Sequence, residues 1–232
     1  MTGLGVGGLT PFSATDYPDR LAAVVFCQGC PWRCGYCHNP HLWPARRPAS
    51  MTWEDVRGFL SRRRGLLDGV VFSGGEPTLQ KGLLAAVREA GSLGFLVGLH
   101  TAGIYPERLG WLLPHLDWVG FDVKAPFARY EAVTGVKGSG LRARRSLERL
   151  LESGVACECR ATVHPALHSR EELLVLAGEL ATAGVRRFVV QEFRSVGCAD
   201  RSLTAADPGI FFEVEFCRQL GRHFESFAVR RA

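Results

Sequence analysis

The sequence predicts an α/β protein built on a parallel sheet. Short apolar runs alternate with segments that carry apolar residues at helical spacing, and this alternation occurs six times along the chain. Strands that are separated by helices usually pair in parallel through right-handed crossovers. Most of the runs contain few polar residues, as expected when helices cover both faces of a sheet. The pattern alone fits either an incompletely closed barrel or a flat, doubly wound sheet.

The predicted strands are short apolar runs that are rich in β-branched residues. They lie at 21–26, 69–73, 95–99, 118–121, 155–163 and 187–191, and the fifth is more polar than the others. Residues 1–20 are glycine-rich and then turn-like. We expect this N-terminal segment to lead into the first strand and to cover one edge of the sheet.

The predicted helices are marked by capping residues as well as by apolar periodicity. The segments Thr52-Trp-Glu-Asp55 and Ser169-Arg-Glu-Glu172 have the form of capping boxes, the first with Asp in place of the usual Glu. Pro106 is suited to a first helical turn, and Gly154 to the end of a helix. The last helix is expected to run from near residue 208 to 223.

Composition limits the class of protein. A chain of 232 residues with 47% hydrophobic residues is expected to form one domain, 1–232, in which 1–20 is a lead-in segment. No apolar run reaches about 18 residues, and the N-terminus has no signal-peptide pattern, so we expect a cytoplasmic protein without a membrane span. The net charge is +5, but the arginines are scattered, which argues against nucleic-acid binding.

The stretch 27–40, directly after the first predicted strand, carries the most informative chemistry. Cys30, Cys34 and Cys37 follow the spacing C-x3-C-x2-C among many turn-forming residues, so a folded loop could direct three thiolates to one centre. Thiolates in a cytoplasmic chain indicate metal ligation rather than disulfides. A structural zinc site needs four protein ligands, whereas a [4Fe–4S] cluster with three cysteines keeps one iron open for a substrate. A zinc knuckle or a chance group of buried thiols is the alternative.

The cysteine spacing, with Tyr36 just before the last cysteine, resembles the signature of radical S-adenosylmethionine (SAM) enzymes. Segments 11–18 and 26–40 are similar to those of activating proteins of anaerobic ribonucleoside-triphosphate reductase, a group similar to pyruvate formate-lyase activating enzyme. The resemblance covers essentially the whole chain. It implies a partial (βα)6 TIM-like barrel with parallel strands, a [4Fe–4S] cluster held by Cys30, Cys34 and Cys37, and SAM as the second cofactor.

Other candidate site residues follow the ends of the predicted strands, where parallel α/β folds bind ligands. Gly74 and Gly75 would let the backbone approach a ligand closely, and the Glu76 carboxylate could receive an amine. Alone, Gly-Gly-Glu is more often a simple turn. Its resemblance to the GGE motif of the family implies that Gly74, Gly75 and Glu76 bind the methionine amino group of SAM.

The segment Asp122-Val123-Lys124 follows the fourth predicted strand. Asp122 and Lys124 share a face of the strand and could form a simple ion pair. The resemblance implies that the segment lies near the SAM carboxylate and that Asp122 could hold a monovalent cation. The remaining candidates for cofactor binding are Tyr36 beside the adenine, His38 as a hydrogen-bonding residue of the loop, and Arg160 and Arg194 at strand ends, where a purely structural hydrogen bond is the alternative.

Several further residues have no assigned role. His100-Thr-Ala-Gly103 resembles a family segment that reads Thr-Asn-Gly, and Ala102 departs from the usual Asn. No role is assigned to His164 or Gln191. The other cysteines are expected to be buried thiols rather than ligands of an auxiliary cluster: Cys27, Cys157, Cys159, Cys198 and Cys217.

The resemblance implies an anaerobic glycyl-radical activase. SAM would be cleaved reductively at the cluster, with flavodoxin or ferredoxin as the electron donor, and the 5′-deoxyadenosyl radical would abstract hydrogen from a glycine of anaerobic ribonucleoside-triphosphate reductase. Three alternatives are kept. The first is an activase of a pyruvate formate-lyase-like enzyme, the second a radical enzyme acting on a small molecule, of the 7-carboxy-7-deazaguanine synthase type, and the third a non-catalytic metal-binding protein.

Overall fold

A computed structural model describes residues 3–46, 50–198, 200–205 and 207–231. One eight-stranded sheet runs through it, with the strands in the order of the chain. The strands are β1 Val6–Ser13, β2 Ala22–Cys27, β3 Gly69–Gly74, β4 Leu96–Thr101, β5 Trp118–Asp122, β6 Ala156–Val163, β7 Arg187–Glu192 and β8 Ser226–Arg230.

Helices follow the strands and pack on the outer face of the sheet. They are α1 Trp53–Ser61, α2 Leu83–Ser92, α3 Pro106–Leu112, α4 Tyr130–Thr134, α5 Ser139–Ser153, α6 Arg170–Thr182 and α7 Val214–Gly221. Both predicted capping boxes form, at Thr52 with Asp55 and at Ser169 with Glu172. The last helix is shorter than expected, because a separate 3-10 turn at Pro208–Phe211 precedes it. No helix of the described part of the chain is long and apolar enough to cross a membrane.

The parallel α/β sheet is confirmed, with two additional strands at its edges. Strands β2 to β8 pair in parallel in chain order. Strand β1 pairs antiparallel with β2, so the N-terminal segment does cover one edge, but as a strand of its own. Strand β8 continues the sheet beyond the six predicted units. Strands β1 and β8 are the two edges of the sheet and do not pair with each other, so the barrel stays open between them.

Two apolar layers lie on the two faces of the sheet. The larger layer, between strands and helices, contains Val25, Phe72 and Phe121. The smaller one lies on the inner face and contains Tyr17, Val24 and further residues from the start of the strands. The Tyr17 ring, from the bend between β1 and β2, stacks on Trp118 at a centroid distance of 5.4 Å. The bend therefore fills the inside of the barrel at the N-terminal ends of the strands.

Removing the Tyr17 ring tests this filling role. Tyr17 is only 6% exposed, so Tyr17→Ala should lower the free energy of unfolding by about 3 kcal/mol through lost burial and the cavity that remains. Phe12→Ala is the matched control from the same segment, because Phe12 is 57% exposed and should cost less than about 0.5 kcal/mol. Urea denaturation of the apoprotein measures both, and equal losses would contradict the packing described.

Candidate active site

The cysteine loop is folded back on itself by backbone hydrogen bonds between its two ends. The N–H of Gly29 donates to the carbonyl of Leu42 at 2.7 Å, and the N–H of Cys30 donates to the carbonyl of Trp43 at 3.2 Å. The buried Gln28 side chain donates to the carbonyl of Pro44 at 2.8 Å. These bonds fix the direction of the chain between residues 30 and 42, where the three cysteines lie.

The turn after β3 packs directly against this loop. The register pairs Cys27 with Gly74, and the N–H of Gly75 donates to the Cys27 carbonyl at 3.0 Å. A Cβ atom at Gly75 would lie 2.3 Å from the carbonyl oxygen of Gly29, so only glycine fits this position. The Gly74-Gly75-Glu76 turn and the cysteine loop are thus parts of one site.

Cys30, Cys34 and Cys37 line a single cavity of about 260 Å³. Burial raises the pKa of the Cys30 thiol to about 12, and the nearby Glu76 carboxylate and the other two cysteines add to the effect. No three His, Cys, Asp or Glu side chains of the described residues converge closely enough to hold a single metal ion. A cubane does not need that convergence, because each thiolate binds a different iron.

The Glu76 carboxylate is almost fully buried and accepts several hydrogen bonds. Oε1 accepts from the N–H of Thr78 at 3.1 Å and from the Thr101 hydroxyl at 2.7 Å, and Oε2 accepts from the N–H of Ala102 at 3.0 Å. Burial raises the pKa of Glu76, while these donors oppose the rise. Since Oε2 carries one donor only, it keeps a lone pair for an ammonium group.

A partly buried charge network lines the same cavity as the cysteines. Oδ1 of Asp122 is 2.8 Å from the Arg160 guanidinium, and Oδ2 is 3.6 Å from Nζ of Lys124. Burial raises the pKa of Asp122, but the two cations outweigh it and lower the pKa to about 2. Lys124 also lies 5.4 Å from the centre of the Tyr36 ring. Lys124 and Arg160 carry two positive charges and Asp122 one negative charge, so the network has a net charge of about +1, which favours an anionic group of a ligand.

His100 joins this network from β4. Its Nε2 lies 2.8 Å from the carbonyl oxygen of Asp16 and 3.0 Å from Nη1 of Arg160. Its Nδ1 lies 3.4 Å from the Ser73 hydroxyl. Burial, followed by the Arg160 charge, lowers the pKa of His100 to about 3, so the imidazole is neutral at physiological pH.

A groove of about 770 Å³ adjoins the cavity. The two share five lining residues, so they are continuous: Asp16, His38, Arg160, Thr162 and Gln191. One wall of the groove is the bend at 14–19, and the other is the end of β7 and β8 with Glu192, Arg230 and Arg231. The groove thus occupies the open side of the barrel, between its two edges.

A family model described as the Radical SAM superfamily matches residues 24–177. The chain belongs to this superfamily. A Methanocaldococcus jannaschii protein, named as a glycyl-radical enzyme activating enzyme, is 30% identical over 195 residues, which cover 81% of this chain and 79% of that protein. The pyruvate formate-lyase-activating enzyme of Streptococcus mutans is 31% identical over 213 residues, 85% of this chain and 80% of that enzyme. Within the superfamily, the chain is thus a radical SAM enzyme of the glycyl-radical activating group.

Solved structures support the same fold. QueE from Escherichia coli superposes with a TM-score of 0.59 at 18% identity, over 97% of this chain and 93% of QueE. Streptococcus suis SuiB bound to S-adenosylmethionine superposes with a TM-score of 0.68 at 17% identity, over 88% of this chain. This chain spans about half of SuiB, 48% of its length. At such identities the likeness shows the radical SAM partial barrel alone.

The residues of the cavity fit the two cofactors of radical SAM enzymes. A [4Fe–4S] cluster that binds SAM needs three thiolates and one open iron, and the cavity offers three cysteines from one loop. SAM carries an ammonium and a carboxylate, which match Glu76 and the Lys124–Arg160 pair in charge. The buried indole N–H of Trp32, which also lines the cavity, has no partner among the described residues and is a free donor there.

Most of the candidate residues line one cavity, and their roles there stay predictions. The radical SAM cavity is lined by Cys30, Cys34, Tyr36, Cys37, His38, Gly74, Gly75, Glu76, Asp122, Lys124 and Arg160. His38 hydrogen-bonds outside the loop: its Nε2 lies 2.6 Å from the carbonyl oxygen of Arg194, which can only accept, so Nε2 carries the proton. The expected monovalent cation stays a prediction, because both oxygens of Asp122 already face cationic side chains.

Val123 and Arg194 do not line this cavity. The Val123 side chain is fully buried in the outer core, since alternate residues of an extended segment point to opposite faces. Its N–H donates to the carbonyl of Arg160 at 2.9 Å, so it supports the network through its backbone. The Arg194 side chain lines the adjoining groove, one step further from the cysteines.

Some site residues were not predicted. Asp16 reaches the cavity because β1 pairs with β2, and residues 6–13 were not predicted to form a strand. Thr101 donates to Glu76 through its hydroxyl and Ala102 through its backbone N–H, and the latter bond does not depend on the side chain at position 102. Of the remaining cysteines, Cys27 and Cys159 are buried as expected, whereas three are only half-buried: Cys157, Cys198 and Cys217.

The neutral state of His100 predicts a pH dependence of stability. The unfolded chain takes up a proton at His100 near pH 6.5 and the folded chain only near pH 3, so stability falls as the pH falls through this window. The loss is about 1.4 kcal/mol per pH unit at most, or about 2 kcal/mol at pH 5.

Urea unfolding of the apoprotein at pH 7 and pH 5 measures this loss. The groups that face His100 are Asp16, Asp122 and Arg160. His100→Asn keeps a polar side chain that does not titrate, so the free energy of unfolding of this variant should depend less on pH between pH 7 and pH 5. Identical slopes for the wild type and His100→Asn would rule out His100 as the source.

Proposed function

We propose that this enzyme activates an anaerobic ribonucleoside-triphosphate reductase by forming a radical on one of its glycines. The observation that carries the proposal is the continuity between the three-cysteine cavity and the wide groove on the open side of the barrel. A peptide loop of another protein could enter there and bring a glycine Cα–H to the cofactors. The choice of the reductase rests on the resemblance of segments 11–18 and 26–40.

The chain's own residues have distinct roles in this proposal. Cys30, Cys34 and Cys37 hold the cluster, which, when bound, supplies the electron that cleaves SAM to methionine and a 5′-deoxyadenosyl radical. The Gly74–Glu76 turn orients the methionine amino group, and the cations of the Asp122 network orient its carboxylate. The remaining orienting residues are Tyr36 beside the adenine and His38 at the junction of cavity and groove.

The charges of the groove support a protein partner rather than a small apolar molecule. Glu192, Arg230 and Arg231 line the groove, so its walls present both signs of charge. Such a surface can pair with backbone and side-chain groups of an extended loop. A flavodoxin or ferredoxin would deliver the electron. We expect the reaction to occur in the cytoplasm, where such electron donors are found.

A pyruvate formate-lyase-like enzyme is the second candidate partner. The similarity to the Streptococcus mutans enzyme, 31% identity over 80% of its length, favours it. Both candidates share the chemistry of the site and differ only in the protein that docks. An experiment that distinguishes the two candidates must therefore compare the two partner proteins, because a variant of the active site would affect both reactions alike.

Electron paramagnetic resonance (EPR) tests the choice of partner. The reduced enzyme, with SAM, should give a glycyl-radical signal in a ribonucleoside-triphosphate reductase from the same organism, and a reductase whose radical glycine is replaced by alanine should give none. A signal only in a pyruvate formate-lyase-like protein would transfer the proposal to the second candidate. SAM cleavage with turnover of a small molecule and no protein radical would overturn both.

Cysteine substitutions test the assignment of the cluster. Cys34→Ala should lower the iron and sulfide content after anaerobic reconstitution and reduce SAM cleavage to background, because a ligand is lost from a three-cysteine site. Cys217→Ala is the matched control, since its half-buried thiol contacts the Phe211 carbonyl far along the chain from the loop. Normal iron content in the Cys34 variant would contradict the assignment.

A further inference from the structure

Trp43 stands at the far end of the cysteine loop and contacts one of its thiols. Its indole Nε1–H donates to Sγ of Cys37 at 3.2 Å. Sulfur is a large, polarisable acceptor, and this distance is short for a hydrogen bond to it. The contact therefore connects a neutral donor to an atom that is assigned to the cluster.

The indole is held in place by several independent contacts. The backbone N–H of Trp43 donates to the carbonyl of Pro40 at 3.1 Å, and its carbonyl accepts from Cys30. The Arg33 guanidinium lies 5.1 Å from the centre of the indole ring and is itself bonded to the carbonyl of Cys30 at 2.7 Å. The donor is thus oriented before a cluster is bound, which is the condition for a constant effect on it.

Such a donor changes the energy of the cluster in its two oxidation states unequally. One-electron reduction, from the 2+ to the 1+ state, places additional negative charge on the sulfur atoms, and no proton moves. A hydrogen bond to a ligand sulfur stabilises the more negative state, so it raises the reduction potential. Cys37 is half-buried, so water screens the hydrogen bond to its sulfur incompletely, and the effect of this bond on the reduction potential is stronger than at an exposed site.

We propose that Trp43 is a positioning residue that acts through the Cys37 sulfur to raise the reduction potential of the cluster. The electron comes from the reductant, and the indole N–H lowers the energy of the reduced cluster without taking part in the transfer. The proposal depends on the cluster and not on the identity of the activated protein. Its test needs neither SAM nor a partner, so its failure is separate from failure of the proposed function.

Trp43→Phe separates the hydrogen bond from the packing, because it retains an aromatic ring under Arg33 and removes the N–H. Trp111→Phe is the matched control, since Trp111 lies on α3 and is 66% exposed. Both proteins are reconstituted anaerobically, matched for iron and sulfide content, and titrated with dithionite while EPR follows the reduced cluster.

The Trp43→Phe cluster should be about tenfold harder to reduce than the wild type, a midpoint about 59 mV more negative for a one-electron couple. The Trp111→Phe cluster should titrate like the wild type. Equal midpoints in all three proteins would overturn the proposal, and so would a shift of equal size in both variants.

A second measurement covers the case in which Trp43→Phe does not bind a full cluster. Trp32 is a second indole near the cysteines, since it lines the cavity that they line. In a Trp32→Phe protein that contains indole-¹⁵N tryptophan, Trp43 is then the labelled indole at the cysteine loop. Pulsed EPR of the reduced cluster should show a coupling to ¹⁵N, and the absence of this coupling would refute the contact.

Discussion

The contact between the Gly74–Gly75 turn and the cysteine loop holds the site together. Gly75 lies so close to the Gly29 carbonyl that no side chain fits between them, and the Glu76 N–H donates to the same carbonyl at 2.8 Å. This contact joins the ends of two adjacent strands, which are stiff. It places a loop that would otherwise be mobile against the buried Glu76 carboxylate. The cysteine loop and the turn that carries Glu76 are therefore fixed relative to each other by backbone atoms.

The second half of the site depends on buried charge. Arg160 is buried, and Lys124 and Asp122 are partly buried, with 12% and 31% of their side chains exposed, so each charge is less well hydrated than at the surface. Each is stabilised by the others, and His100 contributes as a neutral group. The network is therefore organised without a ligand, and its excess positive charge is directed at the cavity. The cavity thus has an acidic end at Glu76 and a basic end at Lys124, and this separation of charge suits a zwitterionic ligand.

The sequence could predict those parts of the fold and site that local patterns determine. The parallel strands, the capping boxes and the cysteine spacing each need only a short stretch of chain. Strand β1 was not predicted, because its glycines and Pro11 are compatible with a strand only at an edge, where one side stays unpaired. Asp16 was missed for the same reason, since it depends on β1. The contact of Trp43 with Cys37 could not be predicted, because the backbone hydrogen bonds that bring the two residues together have no recognisable sequence pattern.

The shape of the site bears on what kind of substrate it can serve. A carbon radical must be kept from side reactions with solutes in the solvent, yet the groove leaves the cavity open on one side in the free enzyme. Either a mobile part of the enzyme or the substrate itself must close it. The walls of the groove come from the bend at 14–19, which is fixed by the Tyr17–Trp118 stack, and from β7 and β8, which are paired strands. Since these walls are held by a ring stack and by strand pairing, closure by the substrate is the simpler solution, and a protein loop is large enough both to fill a groove of about 770 Å³ and to place one glycine in the cavity behind it.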